Sequence, residues 1–326
     1  MRLLKLVPEN TNIQFLKWRN IAIAISIVLT IGSIALTATR GLNFGVDFAG
    51  GQMIQATFTE DAEAPVGELR EDIAALGIEG ASIQRFGDPN QVSIRMRVTE
   101  GADEDPEIAN EISTRVTQMM QAEYEGVRID SVDSVSGKVS DELFRAGALA
   151  LGLAMVAIAL YIWLRFEWQF GVGALFALFH DVALTFGFFA LTQLEFNLNI
   201  VAALLTIIGY SLNDTIVVYD RIRENLRKYR KMEIVPLLDL SVNETLARTV
   251  MTSLTMVVAL VVLIWVGPDL LFGFTAAMLL GIFIGTYSSV YMAAPILIWL
   301  KVGSDTFVPD EAGPDGPKVH KEGYGR

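Results

Sequence analysis

The 326-residue chain contains no cysteine. That excludes a disulfide, a thiolate metal site and a cysteine nucleophile. It has two histidines, His180 and His320, too few for a multi-histidine metal site. Positive charge is scarce: 25 Lys and Arg stand against 37 Asp and Glu, a net charge of −12. The deficit is local. Residues Arg40 to Asp141 carry 20 acidic and 8 basic side chains, a difference equal to the whole imbalance. Elsewhere the charges cancel, so nothing supports a nucleic-acid partner.

What the chain does have is apolar length. Its mean hydropathy is +0.43 and 52% of its residues are hydrophobic. A helix of about 20 apolar residues crosses a hydrocarbon core of about 30 Å. Six stretches qualify: Trp18–Thr39, Ala146–Leu164, Phe170–Thr192, Phe196–Tyr219, Leu246–Val266 and Leu270–Leu300. The first is longer than a signal-peptide core, so it reads as a retained anchor rather than a cleaved leader ending at "ALTAT". The last contains Pro295 and is expected to tilt, kink or leave the bilayer early.

Lys and Arg gather in "DRIRENLRKYRK" (220–231), and Arg165 lies in the loop after the second span. The opposite short loops, "QLEFNLN" and "GPDLL", carry neither. The positive-inside rule then puts both termini in the cytoplasm and the acidic segment outside. The expected organisation is a cytoplasmic segment 1–17, a first span 18–39, an outer domain 40–142 and spans two to six over 143–302. A basic cytoplasmic loop at 220–241 and a disordered tail at 303–326 complete it.

Inside the outer segment, 51–58, 81–86, 91–98 and 127–135 read as strands. Residues 65–76 and 105–124 read as helices, each with Pro near its start. The order β-α-β-β-α-β predicts a ferredoxin-like split βαβ fold. The fold class is therefore a polytopic helical membrane protein with one small α+β domain between its first two spans. That domain architecture hosts many functions and names none.

Several polar residues sit where oil is expected. Asn213 and Asp214 interrupt the fourth span, about 10 Å inside its cytoplasmic boundary at about 1.5 Å per residue. A charge near the bilayer centre costs ~2.5–3.5 kcal/mol, so such groups face the bundle interior and serve a purpose. For Asn213 a structural clamp between helices is an equal alternative; for Asp214 an ionisable group exceeds what a clamp needs. "SVNE" (241–244) fits a capping box, placing the fifth helix start near Val242. Arg248 then lies inside that helix with Thr252 and Thr255 near its face, or it snorkels to headgroups. His180 and Asp181 lie near mid-membrane and point about 100° apart around a helix of 3.6 residues per turn. They belong either to a polar pathway or to a satisfied hydrogen-bonding pair. Gly281 and Gly285 form a GxxxG packing face, followed by Thr286, Ser288 and Ser289, and read as structure. "GVDFAGG" (45–51) implies a tight hinge, Gly45, Gly50 and Gly51 bending the chain and Asp47 capping a turn.

Four of these segments, "GVDFAGG", "ALFHDVALT", "TIIGYSLNDTIVVYDRIREN" and "TLARTVMTSLT", occur in this order across nearly the whole chain. Together they resemble the SecF branch of the SecD/SecF family, within the RND superfamily of proton-driven transporters. The "SLNDTIVVYDRIREN" segment is the most specific; the glycine motif is common to both branches. One departure is Met256, where a second threonine after Thr255 belongs to the pattern. The resemblance implies that SecD supplies a matching set of six spans, with ion-coupling residues at the shared interface. It implies association with the SecYEG channel and with YajC and YidC in the inner membrane. It implies that the complex pulls or releases unfolded exported polypeptides on the outer side. Protons are the implied coupling ion, with no cofactor and no enzymatic chemistry. The family's aspartate and arginine fall on Asp214 and Arg248. Burial disfavours an ionised carboxyl and a nearby arginine favours it, so the balance between them can be switched.

Three rivals make different demands. An intramembrane aspartyl protease using Asp181 and Asp214 needs two carboxylates sharing a proton, but the sequence reads "SLND" rather than GxGD. A passive scaffold requires nothing ionisable at Asp214. A small-molecule exporter of the RND type is expected to carry two large outer domains and twice the spans.

Overall fold

The computed structural model describes residues 7–8, 11–61, 63–78, 81–85, 88–96, 106–268 and 271–303, with the backbone alone at 106–110. The tail expected over 303–326 lies outside the described residues except Gly303, as does most of 1–17 before Thr11.

Among the described residues six helices are long and apolar enough to cross a membrane. They are α1 (Arg19–Arg40, led by a 3-10 turn at Phe15–Trp18), α5 (Gly137–Arg165), α6 (Trp168–Thr192), α7 (Leu198–Lys228) and α8 (Ile234–Val266). The sixth is α9 (Phe272–Ser288), which continues through a π turn at Ser289–Ala293 into α10 (Ala294–Trp299). About half of each span in α6, α7 and the α9–α10 unit is buried, whereas α1, α5 and α8 bury little. The first three form the inner layer. Small residues let them approach. A β-carbon at Gly281 would overlap Ile207, and one at Gly285 would stand 3.0 Å from Ser211 Cβ. Gly187 meets Ser33 of α1 in the same way. The outer helices show lipid or a partner an apolar surface: Val28 and Ile31 on α1, Leu153 and Trp163 on α5, Val261 and Trp265 on α8.

Both ends of the basic connection differ from the expectation. The segment 220–241 is mostly helical: α7 runs to Lys228 and α8 starts at Ile234. Ion pairs tie these helical extensions together. Arg221 binds Glu244 at 2.7 Å and Glu224 at 2.7 Å, Arg223 binds Glu167 at 3.2 Å, and Arg165 binds Asp220 at 3.1 Å. The capping box is not one. Ser241 lies inside α8, donates to the Leu237 carbonyl and accepts from Asn225, and Glu244 is committed to Arg221. A four-residue signature competes poorly with such interhelical bonds. α5 likewise begins at Gly137, its Ser136 hydroxyl accepting from Val139 N, nine residues before the apolar run that marked it.

The outer domain joins β1 (Gly51–Phe58), α3 (Val66–Ala75), β2 (Ser82–Arg85), β3 (Gln91–Met96), α4 (Pro106–Glu123) and β4 (Val127–Val135). The sheet order is β2-β3-β1-β4 with every neighbouring pair antiparallel. This is the split βαβ topology the sequence predicts. Ile54, Ala56 and Phe58 of β1 face Leu69 and Ile73 of α3 and Val116 and Met120 of α4 in one apolar core. β4 is an edge strand, and its burial alternates residue by residue.

The glycine-rich segment is docked rather than free. Val46–Ala49 forms a single helical turn, α2. Gly45 N donates to Phe196 O at 3.0 Å and Phe196 N to Asn43 O at 2.8 Å. Asp47 does cap, but the helix it caps is α7: its Oδ2 accepts from Leu198 N at 2.8 Å. Gly45 lies against the Glu195 carboxylate, which a β-carbon there would have to displace. Gly50 and Gly51 have φ of +67° and +103°, conformations that side chains resist. Arg95 of β3 donates to Asn43 Oδ1 at 3.4 Å, tying the sheet to the same corner. Burial pushes the Glu195 carboxyl up from its ordinary range, and Arg95 opposes that push.

Two outcomes follow for the outer domain. Residues 41–138, made without the spans, give a soluble monomer with mixed helix and sheet circular dichroism; a disordered spectrum would show that the membrane helices complete its core. Within that fragment Gly51→Ala lowers stability by about 1–2 kcal/mol, because its φ suits no side chain; an unchanged urea midpoint would contradict the strain.

Candidate functional site

Asp214 sits near the middle of the inner layer, on the face of α7 turned to α8 and α9. It is 7% exposed. Its Oδ1 accepts from Thr249 Oγ1 of α8 at 2.5 Å and its Oδ2 from Ser289 Oγ of the π turn at 2.6 Å. Both partners are neutral hydroxyls. Among the described residues no ion pair reaches this carboxyl.

A second carboxyl lies in the same layer. Asp181 of α6 is 1% exposed and His180 beside it 2%. Their 100° separation around the helix is overcome by rotamer choice: His180 Nδ1 stands 2.9 Å from Asp181 Oδ1. Asp181 Oδ2 accepts from Ser288 Oγ at 2.8 Å and, in a shorter bond, from Ser211 Oγ of α7. His180 stacks on Tyr287, which bridges α9 to α1 by donating to the Ala22 carbonyl at 2.8 Å.

The glycines of α9 make this meeting possible. Gly285 packs directly on Ser211, so the two helices approach until Ser211 and Ser288 share one carboxylate oxygen. One residue later the helix opens into its π turn. Pro295 explains it, since proline has no N–H and crowds the carbonyl one turn before it. A π turn is the local answer and is frequent at functional sites. Tyr219 of α7 is fully buried and donates to Ala293 O at 3.0 Å, satisfying a carbonyl of that turn. The kink expected from Pro295 is thus a widened turn that aims Ser288 and Ser289 at two different carboxyls.

The other expected site residues lie elsewhere. Arg248 does not pair with Asp214: it is exposed on α8, and its neighbour Thr249 holds the contact instead. Adjacent helical residues differ by about 100°, so with Thr249 turned to Asp214 the Arg248 side chain leaves the buried face. Arg248 lines a cleft with Val217, Asp220, Arg221, Glu224 and Glu244. Asn213 is also exposed and, among the described residues, has no clamp to another helix. Thr252 and Thr255 are exposed and bond back to carbonyls of their own helix, Arg248 and Thr252 respectively. The expected set therefore divides into a buried pair of carboxyls and an exposed polar face on α7 and α8.

Ser211, Thr249, Ser288 and Ser289, which hold the carboxyls, were not legible as site residues. Hydroxyl side chains are common in membrane helices. The one usable signal was two consecutive serines just after GxxxG and just before a proline. Among the described residues no group of three His, Asp or Glu could hold a metal.

Residues 115–303 match the family model for the C-terminal region of SecD/SecF protein export membrane proteins, and residues 35–62 match the SecD/SecF GG motif. The protein translocase subunit SecF of Rhodobacter capsulatus is 45% identical over 91% of this chain and 91% of its own length. That of Pseudomonas aeruginosa is 39% identical over 92% and 95%. The crystal structure of SecDF, a translocon-associated membrane protein from Thermus thermophilus, superposes with a TM-score of 0.80 at 31% identity. The match covers 90% of this chain and 39% of that one, so the chain spans about two fifths of SecDF. SecDF in a super-membrane-facing form gives a TM-score of 0.64. With a family model over more than half its length and relatives this similar end to end, the chain belongs to the SecD/SecF family of protein export membrane proteins.

Proposed function

We propose that this chain is the SecF half of a SecD–SecF complex that couples the proton gradient to late translocation or release of exported polypeptides. The observation that carries the reading is Asp214: a carboxyl buried mid-helix, held only by neutral hydroxyls, one residue from an exposed polar face. Taking an uncompensated charge into such a site is costly. The exposed Asn213, Arg248, Thr252 and Thr255 would be costly too if they met lipid. A second bundle covering α7 and α8 removes that cost, and SecD is the partner the SecDF superposition favours.

Asp214 then changes charge as a proton enters or leaves. Neutral, it keeps the bonds to Thr249 and Ser289. Ionised, it attracts the nearest cation that can turn toward it. Arg248 needs a rotation of α8 of about 100° to replace Thr249, or a smaller one with a change of rotamer. A proton falling through the full membrane field supplies ~2.3 kcal/mol per 100 mV, which is enough to bias a two-state bundle with a gap of a few kcal/mol.

The geometry also favours an orientation. The outer domain joins α1 and α5 at one end of the bundle, and the Arg- and Lys-rich extensions of α7 lie at the other. The positive-inside rule assigns the basic end to the cytoplasm and the domain to the periplasm. Motion of α7 reaches the domain through Asp47, which caps its outer end. Association with SecYEG, YajC and YidC, and contact with unfolded exported chains, follow from the family likeness. No step calls for a cofactor.

Asp214→Asn keeps shape and hydrogen bonding but fixes the charge. It is expected to insert and to copurify with SecD, while the proton-gradient-dependent part of export into inverted membrane vesicles is lost. Arg248→Met is expected to match it, and Arg248→Lys to be milder, because charge survives without the planar fork. The double variant should be no worse than either single one, as the two act together. Wild-type, uncoupler-sensitive export by Asp214→Asn would falsify the carrier role and leave a structural clamp.

A further inference from the structure

Asp181 and Asp214 lie on different helices, yet consecutive residues hold them. Ser288 donates to Asp181 at 2.8 Å and Ser289 to Asp214 at 2.6 Å, where α9 passes into its π turn. We infer that Asp181, with His180, is a second charge-changing group of this protein, coupled to Asp214 through Ser288 and Ser289 as positioning residues. The inference deepens the proposed function and rests on Asp214 being the proton carrier.

Each serine has two acceptors in reach. Ser288 Oγ also stands 3.1 Å from Gly285 O, and Ser289 Oγ 3.0 Å from Thr286 O. A hydroxyl has one proton to give. An ionised carboxylate takes it, because charge-assisted hydrogen bonds are roughly twice as strong as neutral ones. A protonated carboxyl is a weaker acceptor and has a proton of its own to place. The serine can then turn its hydroxyl to the helix carbonyl and accept from the acid. Each serine thus has two arrangements that follow the charge of its own aspartate. Because the two are adjacent where α9 passes into its π turn, a displacement of one backbone position moves the other. The two carboxyls are therefore linked electrostatically through a low-dielectric interior and mechanically through the turn.

Asp181 has what a charge-changing group needs and a passive clamp does not. The groups around it are His180 on its own helix, Ser211 from α7, and Tyr287 and Ser288 from α9. The α1 residues on this side are apolar apart from Ser26, which is bonded to Tyr287. Among the described residues no Lys, Arg or Glu contacts the pair, so His180 is the one candidate cation. His180 Nε2 is buried without a hydrogen-bond partner among the described residues. It lines an apolar cleft of about 510 Å³ between α1 and α9, with Trp18, Leu29, Phe283 and Tyr291. Neutral or protonated, the ring leaves one nitrogen unmet, and an unmet buried group costs about 1–3 kcal/mol. A merely structural pair would satisfy both nitrogens.

The test is an infrared titration of protonated-carboxyl bands in the full chain, copurified with SecD in lipid vesicles. The Asp181 band is identified by its loss in Asp181→Asn. Asp214→Asn is expected to displace the titration of that band by about one pH unit toward acid, as one of two like charges is removed. The double variant Ser288→Ala/Ser289→Ala is expected to reduce that displacement to the part carried directly by charge; an unchanged displacement would remove the serines from the coupling. His180→Gln keeps a donor for Asp181 without a charge and is expected to move the band toward alkali. This arm decides the pairing even where the serine variant fails to assemble. A band that titrates identically with Asp or Asn at 214, or no band lost in Asp181→Asn, would overturn the inference. Export by Asp214→Asn reports separately on the carrier role: coupled titrations with wild-type, uncoupler-sensitive export by that variant would sink that role and leave the coupling standing.

Discussion

Everything in the membrane part of this structure depends on keeping two carboxyls in the inner layer of an apolar bundle. Each needs several donors close by, and each donor comes from a different helix. Asp181 draws on α6, α7 and α9; Asp214 draws on α8 and the π turn. That forces α7 and α9 into near-backbone contact, which only Gly281 and Gly285 permit. It also requires a break in helical register so that successive serines can serve both groups, and Pro295 together with Tyr219 supplies and stabilises that break. Packing, helix geometry and polar satisfaction are one constraint here.

The outer helices are released from that constraint. They bury little of their own apolar surface, and α8 turns Arg248, Thr252 and Thr255 outward. A polar face thus lies beside the buried Asp214, while Asp181 sits deeper in the inner layer. The link to the outer domain is stiff: the glycine-rich segment is pinned by strand-like bonds to 196 and by Asp47 on the first turn of α7. Asp47 thereby ties the first turn of α7 to the base of the sheet.

The sequence made the large features legible because they rest on strong, local rules. Apolar length identified the spans, alternation and turn residues identified the four strands, and a carboxylate in oil identified Asp214. It failed where long-range contacts decide. Helical extensions at 220–241 are fixed by Arg221, Arg223 and Glu244 acting across helices, and composition alone reads them as a loop. The S-x-x-E pattern at Ser241 occurs within a helix whose bonds make a cap unnecessary. Arg248 is the cation that the family likeness pairs with Asp214, yet the helix phase gives Asp214 to Thr249. Ser288 and Ser289 carry no charge and no rare chemistry, so only the packing of α9 on α7 shows what they do.

The central claim is that Asp214 changes its charge when a proton gradient is imposed. Time-resolved infrared difference spectra of the SecD-bound chain in sealed vesicles, with and without that gradient, read it directly against Asp214→Asn. A carboxyl band that responds to the gradient in the wild type and is missing in the variant is the expected result. A band that stays constant under the gradient, or a response that persists in Asp214→Asn, would contradict it.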